Sequence, residues 1–520
     1  MAQSLLEFLG NPSSYPEHPK RVEVRQTHTS WVFLTDTRAY KLKKPVKFDF
    51  LDFSTVDQRR KACADELRLN QRLAPDVYQD VTPIYLDAKG RYSLRKKGQI
   101  ADWLVKMRRL DDARSLQSQI ETDTVSATEI ARLASRLTQF YGDAPPVSLQ
   151  PSEYRFALDC HIRANRTVLL DHVRDRQGDV VRRVHTAQLL YLHAKACVFD
   201  ERVCDGRIVE GHGDLRPEHI YLLSTPTIID CIEFSREFRE LDVVDELAFL
   251  AMECSRAHAA WIGKQILQAY VDASGDRVPE ELLAFYATYR ACVRAKVALL
   301  RGDQMAEGPG PVAHDEAVEY LQLADEQATR FGQAVVFVVR GLTGTGKTTT
   351  AKALAERFGL HHLQTDLVRR QMFPANSGET PAYGEGRYAP ENRQHVYEEL
   401  LRRAEVLLAR GLSVVLDGTF ATSQLHERVM EVAERFHAKP LFINCTCEAE
   451  LATGRIEQRR LLGDALSEAT PSTHARQCRA EQLPRASIPQ CSIDTSCAIS
   501  LIERTVASAI SRCRATATGV

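Results

Sequence analysis

Hydrophobic and polar positions follow three regimes along this chain. Over residues 20–110 the apolar runs are short: Trp31-Val32-Phe33-Leu34 and Ala39-Tyr40-Lys41-Leu42, parted by Asp36-Thr37-Arg38, predict two strands and a turn, and strand character returns at 81–85 and 103–107. Between them, 56–73 sets Arg59, Arg60, Lys61, Asp65, Glu66 and Arg68 among apolar positions at helical spacing, which predicts a helix against a twisted sheet. From Ser126 helical spacing takes over, as at Ile130, Leu133 and Leu137 or across 247–250, interrupted by a polar insert at 211–234. A stretch rich in Gly, Pro and acid, 302–315, precedes one more helix over 316–331, which puts a domain boundary close to 330. Beyond it the run 334–339 is wholly apolar, as in a parallel strand buried on both faces, and 349–358 is helical. Two more strands, 360–364 and 413–416, end at Asp366 and Asp417, and a helix begins near Glu448.

The residues between that apolar run and its helix are Gly341-Leu342-Thr343-Gly344-Thr345-Gly346-Lys347-Thr348, followed by Thr349. In a strand–loop–helix context GxxxxGK[ST] is a phosphate cradle: glycines let several main-chain N–H groups aim at one anion, the helix N-terminus adds partial positive charge, the lysine reaches the terminal phosphates, and the Thr348 hydroxyl suits Mg²⁺. The carboxyl ends of parallel strands are where an open α/β sheet binds ligands, so Asp366 and Asp417 should converge on this loop. There an aspartate can orient Mg²⁺ or take a proton from a hydroxyl; the plainer alternative is a cap for the following helix. Phosphoryl transfer also needs cations over the migrating group, and Arg455, Arg459 and Arg460 are the candidates.

A second constellation lies in the polar insert. His212-Gly213-Asp214-Leu215-Arg216-Pro217-Glu218-His219 is followed by Ile228-Ile229-Asp230-Cys231-Ile232-Glu233-Phe234. An aspartate on a tight loop can accept a hydroxyl proton while another, after the next short strand, binds Mg²⁺ on ATP. Upstream, Lys41 in a strand and Glu66 in the following helix suit a lysine that bridges phosphates and a glutamate that fixes it.

Composition narrows the partners. Lys and Arg (68) balance Asp and Glu (69), so no global field draws the protein to nucleic acid or anionic lipid. No apolar stretch approaches membrane-span length and the start MAQSLLEFLG lacks a secretory pattern, which predicts a cytoplasmic protein without membrane partners. Thirteen scattered cysteines without a CxxC pair predict reduced, mostly buried thiols.

These motifs resemble known groups. GLTGTGKTT, TDLVRR, VVLDGTF and RIEQRR resemble the small P-loop kinases that include polynucleotide 5′-hydroxyl kinases, gluconate kinases and zeta-type toxins; the resemblance implies Asp366 as general base, Arg369 as the substrate-holding residue, and lid arginines drawn from Arg455 and Arg459. The second acidic pair and sensor arginine of a hydrolytic AAA machine do not stand out. HGDLRPEHI and IIDCIEF resemble the catalytic loop and metal segment of aminoglycoside phosphotransferases, implying Asp214 as base, Asp230 as metal ligand and Asp245 as brace of the loop. Two departures stand out: His219 occupies the usual asparagine metal-ligand position, and Thr27-His28-Thr29-Ser30-Trp31 replaces a glycine-rich nucleotide loop. Together with THTSWVFL, AYKLKKPVKFDFLDFS, ELRLNQRL and YRACVRAKVALLRG, the order of the halves resembles a bacterial family that fuses an aminoglycoside phosphotransferase-like domain to a P-loop ATP-binding domain.

The expected architecture is an α+β protein-kinase-like domain over 1–310, a helical linker over 311–332, and an α/β P-loop kinase domain with a parallel sheet over 333–520. The expected function is ATP- and Mg²⁺-dependent transfer of phosphate to a hydroxyl of a small molecule. Alternatives are a nucleotide-sensing regulator with an inactive first half, and a polynucleotide 5′-hydroxyl kinase, for which a nucleic-acid end is possible but not favoured. Antibiotic acceptors are not implied, since the Asp and Glu residues are too dispersed to mark an acidic drug pocket.

Overall fold

The computed structural model describes residues 4–27, 29–48, 51–303, 311–374, 386–461 and 470–515; His28, Asp49, Phe50, the middle of the 302–315 stretch and the side chain of Arg460 lie outside the described residues. The chain forms two compact units, one from 1–150 and 202–290, the other from 151–201 and 291–520.

The first unit is built on a six-stranded antiparallel sheet in the spatial order Glu23–Gln26, Ser30–Leu34, Arg38–Lys43, Gln99–Arg108, Tyr78–Leu86, Tyr92–Ser93. Side chains alternate across a strand. Tyr40 and Leu42 therefore face a core with Phe8, Leu9, Tyr15, Phe33 and Leu104, while Ala39 faces the opposite core with Cys63, Val105 and Met107. Lys41 and Lys43 share the parity of Ala39 and turn toward the helix Val56–Asn70. That helix starts on a capping box between Thr55 and Gln58 and is pinned to the sheet by Arg59, whose guanidinium donates to Asp102 at 2.9 Å from both Nε and Nη2. It stops at Asn70, three residues before the sequence pattern ends, and the chain continues through turn bonds from the Leu73 and Ala74 N–H groups to the Asn70 carbonyl. Helices Leu5–Gly10, Leu116–Glu121, Ala127–Asp143, Val243–Arg256 and Ala260–Ser274, the first part of Glu280–Asp303 and three short strand pairings also belong to the unit.

The second unit holds a five-stranded parallel sheet in the order His361–Gln364, Val414–Asp417, Val335–Arg340, Lys439–Thr446, Gln490–Asp494. The P-loop strand lies at its centre, and the burial of every residue from Val335 to Arg340 accounts for the unbroken apolar run. The following helix, Lys347–Phe358, begins two residues earlier than the spacing predicts, so Lys347 and Thr348 belong to its first turn. Motif order assigns 151–201 to the first domain, yet helices Pro151–His172 and Asp175–Ala194 pack in this second unit. Arg163 donates to the carbonyls of Glu356 (3.3 Å) and Arg357 (2.6 Å), setting a cation on the negative end of the P-loop helix.

Among the described residues no helix is long and apolar enough to cross a membrane. The cysteines are less buried than their composition implies: no disulfide joins those described, and Cys160, Cys197, Cys204, Cys478 and Cys497 are exposed.

Candidate active sites

In the first unit the strand Arg38–Lys43 and the helix Val56–Asn70 bring Lys41 and Glu66 together. Lys41 Nζ lies 2.9 Å from Glu66 Oε1 and 2.6 Å from Asp230 Oδ1. Burial opposes the lysine's charge, but Asp230, Glu66 and Glu233 outweigh it and hold its pKa well above the ordinary value. Lys43, two residues on and on the same strand face, is paired with the other oxygen of Glu66 and with Glu233. Asp230 sits at φ +64°, uncommon for a residue with a Cβ, with its N–H donated to the Tyr78 hydroxyl at 3.2 Å. Although burial favours its neutral form, Lys41 holds Asp230 ionised far below the usual carboxylate range.

Asp214 stands beside this cluster. Arg216 Nε is 3.0 Å from its Oδ1, and Arg216 Nη1 is 2.7 Å from Glu218. The His219 Nδ1 is 2.9 Å from the Asp214 carbonyl, which can only accept, so Nε2 carries the lone pair; it lies 3.6 Å from Asp230 Oδ2. Asp214, His219 and Asp230 are thus in one place, and Lys41 and Glu66 join them through Asp230. The loop is braced directly by Glu246 as well as by the aspartate that the motif implies. Glu246 accepts the N–H of His212 at 2.9 Å and of Gly213 at 2.5 Å, with the Tyr141 hydroxyl donating to it at 2.7 Å. Asp245 acts one step removed, holding Arg290 at 2.8 and 2.7 Å while Arg290 donates to the Gly213 carbonyl at 3.2 Å. The hairpin turn at Thr27 and Ser30, where the glycine-rich loop is missing, is closed by Thr27 N–H donating to the Ser30 carbonyl at 2.9 Å.

In the second unit the phosphate loop is shaped by its surroundings. Gly341 has φ +143° and Gly344 φ +86°, and a Cβ on Gly344 would come within 2.5 Å of the Ala452 carbonyl; only glycine fits. Thr345 ties back to the Leu342 carbonyl at 2.8 Å, and Gly346 forms the N-cap of the helix that carries Lys347, Thr348 and the exposed Thr349. Thr343 is gripped from outside by the helix Pro471–Ala480: Gln477 accepts its N–H at 2.9 Å and His474 donates to its carbonyl at 2.7 Å. Lys347 donates to the Leu342 carbonyl at 2.7 Å; burial lowers its pKa, against the pull of Asp417, Cys445 and Asp366, and Arg459 adds to the lowering.

Asp417 ends its strand in register with Val339 and Gln364, fully buried, with His362 Nε2 3.3 Å from its Oδ2. It caps no helix, since the next begins at Ser423 on Thr422. Asp366 lies in the first turn of the helix Thr365–Met372 and is ion-paired with Arg369, whose guanidinium stacks 4.9 Å over the Tyr388 ring. The lid arginines separate in role. Arg455 meets the loop at Gly346, where an added Cβ would lie 3.3 Å from its Nη1; it donates to the Thr495 hydroxyl at 3.0 Å and carbonyl at 2.9 Å, and Thr495 in turn donates to the Thr345 carbonyl at 2.9 Å. Arg459 stays within electrostatic reach of Lys347, with its Nε on the Arg455 carbonyl at 3.3 Å.

Both sites fit the groups their motifs imply. The loop presents main-chain donors and a lysine from within; in the first unit the ion-pair cluster carries one more carboxylate than lysine, and Asp230, half exposed, faces the lone pair of His219. A family model for an AAA domain matches residues 336–484, from the P-loop strand through the helix that grips Thr343. An uncharacterized protein of Mycobacterium tuberculosis is 33% identical over 462 residues, covering 88% of this chain and 90% of that protein. The chain belongs to that protein's family. The matched length takes in residues of both units of this chain. A cytidylate kinase of Methanococcus aeolicus is 31% identical over 97 residues, 19% of this chain and 52% of that enzyme. A choline/ethanolamine kinase family protein from Mesorhizobium loti matches in structure at a TM-score of 0.38 and 15% identity, over 63% of this chain and 99% of its own.

Sequence reasoning missed Glu246, Arg290, Lys43 and Glu233. A signal existed for the lysine: Lys41 and Lys43 share one strand face two residues apart, where a buried face ordinarily carries apolar side chains.

Proposed function

We propose that the chain is an ATP-dependent phosphotransferase with two kinase-type sites, divided by motif into 1–310, a linker 311–332, and 333–520, and that at least the second site transfers the γ-phosphoryl group of ATP to a hydroxyl of a small molecule. The observation that carries this reading is the placement of two acids, Asp417 at a strand end and Asp366 just beyond another, both within electrostatic reach of Lys347 in the phosphate loop. Bound Mg²⁺ would supply neutralisation of charge across the phosphate oxygens, held by Thr348 and Asp417 in one site and by Asp230 with His219 in the other. Asp366, partly exposed and ion-paired with Arg369, would take the proton of an incoming hydroxyl. Lys347 and Arg459 bring positive charge to the side where the phosphates would lie, and Asp214 has the corresponding proton-accepting role in the first unit. Balanced charge and the absence of a global basic field favour a small acceptor over a nucleic-acid end.

The test is transfer of label from γ-labelled ATP to metabolite and oligonucleotide pools by the parent, Lys347→Ala and Asp214→Asn. The reading expects a labelled metabolite that Lys347→Ala no longer makes; label on oligonucleotide ends would favour the polynucleotide alternative instead. No transfer to any acceptor, with Lys347→Ala binding ATP as the parent does, would end it.

One observation favours a sensing role for the first unit: an imidazole, a poorer Mg²⁺ ligand than an amide oxygen, faces Asp230. Under that alternative Asp214→Asn leaves all ligand-dependent ATP turnover unchanged.

A further inference from the structure

The charge cluster in the first unit has a dry half and a wet half. Lys43 and Glu66 have fully buried side chains and Glu233 is 7% exposed, whereas Asp230, the outer partner of Lys41, is 43% exposed. Glu66 gives one carboxylate oxygen to each lysine. Lys41 and Asp230 are also the two groups that the reading above sends to phosphate and to metal, so nucleotide binding must part them. Nothing of the kind is asked of Lys43 and Glu233. A buried charge pair is costly to open, because neither ion finds water in exchange. Asp230 and Glu233 lie three residues apart on one segment, whose main chain is also held by the Tyr78 hydroxyl on Asp230 N–H (3.2 Å), by Asn70 on Cys231 N–H (2.9 Å), by the His212 carbonyl on Ile232 N–H (3.1 Å) and by Arg239 donating to the Ile232 carbonyl (2.8 Å), so that the side chains of Glu233 and Lys43 add the tie between this segment and the strand.

We propose that Lys43 and Glu233 are a positioning pair: they hold the Asp230–Phe234 segment against the strand and the Glu66 helix while Lys41 exchanges Asp230 for a phosphate, so that the carboxylate of Asp230 is released toward a cation without its main chain moving. Neither residue touches nucleotide or metal. The pair acts through Asp230, and the inference rests on the first unit being a MgATP site.

Binding of a fluorescent ATP analogue to the full chain in a Lys347→Ala background isolates the first unit, read as a function of Mg²⁺ concentration alongside thermal unfolding. Glu233→Gln keeps the side-chain shape and removes its charge; the Mg²⁺ concentration for half-maximal binding should rise about 10-fold, while binding without Mg²⁺ changes little. The Lys43→Met, Glu233→Met double variant leaves no charge of the pair unpartnered against the other; it should unfold closer to the parent than Lys43→Met alone yet keep the raised Mg²⁺ requirement. Glu233→Asp, which shortens the reach but keeps the charge, should fall between. An unchanged Mg²⁺ requirement in variants that unfold near the parent temperature overturns the pair's role. Absence of any nucleotide binding in the Lys347→Ala parent overturns the reading of this unit, and the pair's role with it.

Discussion

Lys347 Nζ donates to the main-chain oxygen of Leu342 at 2.7 Å, so the lysine at the start of the helix closes the loop that precedes it. The contact keeps a charged donor inside the cradle, where burial already lowers its pKa. Replacing it removes the one charged side chain of the loop without touching a core residue. Lys347→Ala should weaken ATP binding at this site about 100-fold. Equilibrium binding measures it, with the unfolding temperature near that of the parent.

Asp366 and Arg369 should separate by kinetic signature. Asp366→Asn removes the proton acceptor and should lower kcat by about 100-fold or more with ATP binding retained. Arg369→Lys keeps a charge but loses the planar stack on Tyr388, 4.9 Å away, and should raise KM for the acceptor more than it lowers kcat. Steady-state kinetics on the acceptor identified by label transfer decides both.

Glu246 should matter to the stability of the first unit more than its partner Tyr141 does. Its carboxylate collects the His212 and Gly213 N–H groups and the Tyr141 hydroxyl in a buried site. Glu246→Gln turns an N–H₂ toward donors and should destabilise the unit by about 3 kcal/mol, against about 1 kcal/mol for Tyr141→Phe. Denaturant unfolding of the two variants checks the ratio.

His185, buried in the helix Asp175–Ala194, has its pKa pushed down to about 3 by burial and by the nearby Arg166 and Arg163. In the unfolded chain it binds a proton near pH 6.5, in the native protein only near 3, so the unfolded state holds more protons between those values. Stability from this group is complete above the unfolded pKa and is lost as pH falls, by about 1.4 kcal/mol per pH unit in that window. His185→Leu should flatten this part of the curve; urea unfolding of both proteins between pH 7 and pH 4 (about three units) measures the difference.

What could be read from sequence was local. Residues 334–358 carry strand, loop and helix in one unbroken stretch, and Lys41 and Glu66 belong to elements only a short hairpin apart, so neither needs long-range pairing to be recognised. The misreadings depended on partners far along the chain. Arg455 looks like a free helix cation until Thr495, forty residues on, is brought to it by the last parallel strand. Glu246 carries no signal in the sequence that His212 and Gly213 fold onto it. Helical spacing over 151–194 signals an apolar face but says nothing of which sheet covers it, and Arg163 on the end of the P-loop helix supplies that answer.

One chain should carry two nucleotide sites. Counting MgATP equivalents bound per chain by calorimetry tests it most directly. The parent should take two and Lys347→Ala one, with the remaining one lost when Lys41→Ala is added. A single equivalent in the parent, or two in Lys347→Ala, would contradict the account.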